Sequence, residues 1–177
     1  KKDLLKDRVA IEMKHYFRQD FKRIGHASKV ARYAEQIVKE EKGDAAVAIS
    51  AAYLHDIGIQ EAEKKYQSTA AEYQEKEGPP IAREILSKLG ASPDLIEEVC
   101  DLVGHHHHPR PEETINFKAV YDADLIVNLQ ENQQEAHLSP DRLDAMIAKN
   151  VLTESGRTLA KKILFTAEIA ESAERNN

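Results

Sequence analysis

The segment Ile49-Ser50-Ala51-Ala52-Tyr53-Leu54-His55-Asp56-Ile57-Gly58 places an imidazole and a carboxylate side by side at the end of an otherwise apolar run. Residues 45–53 are apolar on nearly every side of a helix, so this helix is expected to be the buried centre of the fold. Asp44, after Gly43, is its expected N-cap and Gly58 its expected stop. An unpaired charge among apolar neighbours is strongly unfavourable, so Asp56 needs a cation, a set of donors or a metal. Two readings of the His55-Asp56 pair follow. One is a buried hydrogen bond that only joins two helices. The other is a metal site, because imidazole with carboxylate suits Zn, Fe, Ni or Mn better than Ca.

Working outward, Leu5, Val9, Met13, Tyr16 and Phe17 fall at helical spacing and predict a first amphipathic helix over residues 4–21. Gly25 is expected to end what precedes it. His26 then opens a helix over residues 26–41, with Val30, Tyr33, Ala34, Ile37 and Val38 as its core stripe. Beyond the central segment, residues 61–77 are polar and predict a surface helix or partly ordered loop. Pro79-Pro80 is expected to break the chain before a stripe of Ile81, Ile85, Leu86 and Leu89 that Gly90 closes. Ser92 as N-cap with Pro93 at the first position starts another helix, carried by Leu95, Ile96, Val99, Leu102 and Val103, which delivers His105 to His108. Pro109-Arg110-Pro111 forms a loop. A strongly apolar helix over residues 117–129 carries Asp122 and Asp124, Ser139-Pro140 starts a further one, and residues 153–171 close the chain with Leu159, Ile163, Thr166 and Ala170 on one face. No strand alternation, internal repeat or linker stands out, so the expectation is an all-α single domain over residues 1–177.

Composition narrows the function classes. A chain of 177 residues is long enough for one domain with a real core. No apolar run approaches the roughly 20 residues of a membrane helix, and Lys1-Lys2-Asp3 is followed by no signal-like apolar region. A soluble cytoplasmic protein is therefore expected. The single cysteine, Cys100, rules out an internal disulfide framework, and its Val-Cys-Asp-Leu-Val setting reads as core packing. A net charge of −6 argues against nucleic acid as the main partner, while local charge is still compatible with a small phosphorylated ligand.

Four places put metal-type ligands in or at the ends of apolar helices: His26, His55-Asp56, His105-His106 and Asp124. Bringing such groups together needs less compensation than neutralising each one separately, which favours a common metal site. His105 and His106 come first after the apolar stripe and are assigned to the site. His107 and His108 are read as a solvated helix end.

The order His26, His55-Asp56 within H-D-I-G, and Asp124 after Ala123 resembles the HD-domain superfamily of metal-dependent phosphohydrolases, from about Gly25 to Leu129. The resemblance implies a helical bundle in which His26, His55, Asp56 and Asp124 hold a divalent ion, with Asp122 the rival for the last place. The ion is expected to be Mn, Fe, Ni, Co or Zn, with Mg also compatible. His105-His106 resembles the double histidine of members that hold two ions, implying either a second metal or donation to phosphate oxygens. Such members usually carry a further histidine where this chain has Glu77-Gly78-Pro79-Pro80, and Glu77 is the expected substitute. Ile59 stands in place of the lysine that often follows H-D-I-G. Lys29 and Arg110 are the nearest basic residues in sequence to offer charge to phosphate, although Lys29 fits a solvated helix face equally well. The implied activity is hydrolysis of a phosphate ester of a nucleotide or similar small molecule, with Asp56, His105 and His106 at the reacting centre. Two alternatives stand beside it: a two-iron oxygenase of the kind a few HD-fold proteins resemble, and a noncatalytic regulatory module.

Overall fold

Asp44 accepts hydrogen bonds from the backbone N–H groups of Ala46 and Val47 and so starts the central helix, Ala45–Leu54, in the expected place. The structure is a computed structural model that describes residues 3–175; the side chains of residues 3, 134–136 and 166–175 lie outside that description. Among the described residues the chain forms nine helices: α1 (Asp3–Phe17), α2 (Phe21–Glu40), α3 (Ala45–Leu54), α4 (Ile59–Tyr66), α5 (Ala71–Lys88), α6 (Pro93–Val103), α7 (Ile115–Ala136), α8 (Pro140–Asn150) and α9 (Glu154–Arg175). No strand occurs among them, as expected for an all-α chain. α3 packs against α1, α2, α6 and α7, and its Val47, Ala48, Ile49, Ala51, Ala52 and Leu54 are all buried. An apolar surface all round a helix demands neighbours all round it, and this places the end of α3 inside the bundle.

The helix starts marked by Ser92-Pro93 and Ser139-Pro140 are formed as expected, each serine accepting from a backbone N–H three residues on. Gly90, at φ +73°, closes α5 in the left-handed conformation that glycine adopts without steric cost. Cys100 is buried, and burial pushes its thiol pKa up, in keeping with a packing role. Among the described residues no helix is long and apolar enough to cross a membrane.

Several boundaries differ from expectation. Arg18 turns at φ 56° and Asp20 caps the next helix by accepting from the Arg23 N–H, so α1 stops at Phe17 and α2 begins at Phe21. Gly25 therefore lies within α2, and His26 sits in its second turn and does not open it. A helix tolerates an interior glycine at a cost of about 1 kcal/mol, which the cap and the buried stripe that follows offset. Residues 61–77 span the end of α4, a short connection over residues 67–70 and the start of α5, and α5 runs through Pro79-Pro80 without a break. An interior proline lacks the helical N–H donor and crowds the preceding turn at a cost of about 3 kcal/mol, and burial on both sides, of Gln74 and Gly78 before and Ala82 and Leu86 after, holds the segment in place against it. On α9 the buried positions are Gly156, Ala160 and Leu164, with Leu159 and Ile163 half-buried beside them; Thr166 and Ala170 lie outside the described side chains.

Gly58 does not stop α3, which already ends at Leu54; it stands at the start of α4 against the backbone of α5. A Cβ added there would lie 2.5 Å from the Gly78 nitrogen and 2.6 Å from the Gln74 carbonyl oxygen. Backbone cannot yield as a flexible side chain can, so Gly58→Ala is expected to destabilise the fold by about 1–3 kcal/mol. Urea unfolding measures this, and an unchanged midpoint would count against the close approach.

Candidate metal centre

Four segments converge at the end of α3. His26 projects from α2, His55 and Asp56 from the turn after α3, His106 and His107 from the turn after α6, and Asp124 from α7. Asp124 Oδ1 lies 3.0 Å from His26 Nε2 and 3.3 Å from His55 Nε2. Asp56 stands between two groups of imidazoles. Its Oδ2 is 3.2 Å from His55 Nε2 and 3.5 Å from His26 Nε2, while its Oδ1 is 3.5 Å from His106 Nε2. Two clusters result, His26–His55–Asp124 and Asp56–His106–His107, each with its ligand atoms within 4.8 Å of one another.

The tautomers of these rings follow from local geometry. His55 Nδ1–H donates to the Ala52 carbonyl at 2.6 Å and His106 Nδ1–H donates to the Val103 carbonyl at 2.7 Å. Each ring is thereby locked with Nε2 directed into the site. Both Nε2 atoms are enclosed and lack a hydrogen-bond partner. On a neutral ring each Nε2 presents a lone pair to carboxylates that are themselves acceptors, an arrangement completed either by a proton or by a cation placed between them. The residues present therefore fit a divalent metal. His26 Nδ1 faces Glu131 at 3.3 Å, the carboxylate-backed arrangement that raises the basicity of an imidazole ligand.

The electrostatics agree. Burial disfavours charge on His55, but the carboxylates of Asp56 and Asp124 raise its pKa well above the usual histidine value. His26 is also raised: burial opposes this, and the hydrogen bond to Asp124 together with the negative charges of Asp124 and Asp56 outweighs it. Burial pushes Asp56 and Asp124 up, yet the neighbouring imidazoles hold both below the ordinary carboxylate range. Without a cation, protons on histidine neutralise these carboxylates, so a metal must displace them.

A family model for the HD domain matches residues 23–149. The chain belongs to the HD-domain family. A solved structure of a predicted HD superfamily hydrolase from an uncultured Thermotogales bacterium has the same fold, with a TM-score of 0.68 at 21% identity over 95% of this chain and 90% of that one. No curated protein matches the chain.

Within this HD domain the structure brings His26, His55, Asp56, His106 and Asp124 together and leaves five other candidates apart. His105 turns away: its Nδ1–H donates to the Asp101 carbonyl, its Nε2 faces Glu113 at 2.8 Å, and its ring stacks on Phe117. His107, expected to be solvated, takes the place beside His106, because successive residues of a tight turn point in different directions. Glu77 is engaged by Lys65 at 3.0 Å and by the Tyr66 hydroxyl at 2.9 Å and belongs to neither cluster. Arg110 forms a bidentate pair with Asp101, and Lys29 is exposed on α2 outside the cleft. Asp122 is fully buried on the opposite side of α7, where it accepts from the backbone N–H groups of Leu152 and Thr153 and from the Thr153 hydroxyl.

Sequence reasoning passed over Gln74, Glu75, Asn128, Glu131, Lys22 and Arg23. A cleft of about 340 Å³ at the His26–Asp56 side is lined by Lys22, Arg23, Asn128 and Glu131 among others. The signal for two of them was present, since Asn128 and Glu131 lie four and seven residues after Asp124 on one helix face. Gln74 and Glu75 carried no such signal.

Asp124→Asn is expected to abolish metal retention, measured by equilibrium dialysis and elemental analysis. Asp122→Asn is expected to keep its metal and lose about 1–3 kcal/mol of stability, because an amide presents a donor to backbone N–H groups that need an acceptor. The opposite pattern would place the ligand on the wrong aspartate. Because the folded protein raises His26 and His55 above the usual histidine value, metal affinity is expected to fall as pH drops through and below the pH range in which they take up protons. Calorimetric titration at several pH values tests this, and a pH-independent affinity would contradict it.

Proposed function

We propose that this HD-domain protein is a metal-dependent hydrolase of phosphate esters, acting on a nucleotide or a similar small phosphorylated molecule. The observation that carries the reading is the pair of enclosed, unpartnered Nε2 atoms of His55 and His106 on either side of Asp56. Likeness in fold to a predicted HD superfamily hydrolase supports the reaction class. His26, His55, Asp124 and Oδ2 of Asp56 would hold one divalent ion, and Oδ1 of Asp56 with His106 and His107 a second. A divalent ion bound there supplies Lewis acidity to a phosphoryl oxygen and lowers the pKa of water toward neutrality.

The chain's own residues arrange the rest. The Ala52 and Val103 carbonyls keep the Nδ1 protons of His55 and His106 away from the site, so both rings turn Nε2 toward it and can offer a lone pair there once any Nε2 proton is displaced. Lys22 and Arg23 at the cleft rim offer positive charge to phosphate oxygens. Arg23 is held by Asp20 and by Glu63, each at 2.7 Å, which fixes its guanidinium before substrate arrives. The cleft volume suits a small ester, and the net charge of −6 disfavours a polyanion. The buried single cysteine is in keeping with a cytoplasmic setting.

A second reading, two-iron oxygenase chemistry, is favoured by the same richness in imidazole. Elemental analysis of protein purified without chelator, followed by a panel of phosphomonoesters and phosphodiesters with that metal restored, separates the two. Hydrolysis of small phosphate esters is expected, reduced to background in His55→Ala, with a raised KM and largely unchanged kcat in Lys22→Ala. Iron-dependent oxygen consumption without phosphate release would instead support the oxygenase.

A further inference from the structure

The two clusters are not equivalent, and α5 supports only one of them. Gln74 is a nearly buried polar side chain, 9% exposed, whose amide Nε2–H₂ donates to the Thr69 carbonyl. Turning the amide over would set two oxygens against each other, so its orientation is fixed. Its Oε1 then faces His107 Nε2 at 3.1 Å and can only accept. His107 therefore carries its proton on Nε2, and a neutral ring has its one lone pair on Nδ1. Glu75 prevents the turn from shifting to offer the other nitrogen. Its carboxylate accepts from the His107 backbone N–H at 3.1 Å and from His108 Nδ1–H at 2.6 Å.

We propose that the site is unequal and that Gln74 is the positioning residue of its weaker half: His26–His55–Asp124 takes the tightly held ion, and Asp56–His106–His107, whose His107 ring Gln74 holds, takes its ion second and more weakly. This rests on the metal-dependent reading above. The first cluster has a carboxylate of its own in Asp124 and a share of Asp56, and its His26 is backed by the Glu131 carboxylate. The second has only its share of Asp56, and its His107 is backed by a neutral amide. An imidazole hydrogen-bonded to an amide is a weaker electron donor than one bonded to a carboxylate.

Titration of metal-free protein with Mn²⁺, followed by calorimetry and electron paramagnetic resonance, is expected to show one tight site and a second at least about tenfold weaker. Gln74→Leu removes the acceptor and is expected to weaken the second site alone by a further factor of about 10–100. In nitrogen-15 NMR of the metal-free protein, above the histidine titration range, His107 is expected to show a protonated Nε2 and a bare Nδ1, a pattern that Gln74→Leu loses. His107→Ala, an independent variant, is expected to delete the second site and keep the first. Two Mn²⁺ ions bound with equal affinity overturn the proposal, as does a Gln74→Leu change that moves both sites alike or neither. A protein that takes up no Mn²⁺ overturns the metal-dependent reading as well, whereas equal filling overturns only the inequality.

Discussion

Two carboxylates enclosed among imidazoles set the terms for the rest of the fold. Burial pushes Asp56 and Asp124 toward the neutral form, and the surrounding histidines reverse that and hold them ionised. Such an arrangement is stable only if every member is in place, because removing one leaves a charge in a low-dielectric space. α2, the turn after α3, the turn after α6 and α7 must therefore keep their mutual register. The all-round apolar surface of α3 provides this. It is packed by α1, α2, α6 and α7, so its C-terminal end is fixed relative to two of the helices that bring ligands.

Most of the fold was legible because its signals are local. Asp44, Ser92 and Ser139 each cap the helix expected of them, and the stripe Val30, Tyr33, Ala34, Ile37 and Val38 is buried as its spacing requires. The boundaries that sequence missed depend on tertiary contacts. Gly25 and Pro79-Pro80 read as breaks when local preference is considered alone, yet burial on the following or flanking turns carries α2 and α5 across them. In the site, His26, His55, Asp56 and Asp124 could be found from their places at the ends or on the faces of apolar helices. The run His105 to His108 could not be resolved, because which ring of a tight turn points inward depends on the bonds the others make. His105 is drawn to Asp101 and Glu113, and His108 to Glu75.

α5 thereby gains a part in the site that its polar sequence did not announce. Gly58 and Gly78 let the start of α4 pass against α5 at backbone contact, immediately beyond Asp56. The same stretch of α5 carries Gln74 and Glu75, which grip the histidine turn from the other side. One close approach of two backbones thus links the Asp56 turn to the His106–His107 turn. Glu77, the residue of α5 with the more obvious ligand chemistry, is drawn off by Lys65 and Tyr66 three residues further along the helix.

The two aspartates of α7 separate folding from chemistry on one helix. Residues two apart on a helix point to nearly opposite sides, so Asp122 and Asp124 cannot share a site. Asp122 has three donors from residues 152 and 153 and so fixes the approach to α9, and its pKa is still raised because burial outweighs those bonds. Asp124 has no backbone donor among its described bonds and faces only the rings of His26 and His55. A carboxylate satisfied by fixed N–H groups is a structural tie, since nothing is gained by bringing a cation to it. A carboxylate facing imidazoles whose other nitrogens are already held elsewhere is completed by a cation, and this difference in partners assigns the two residues their separate roles.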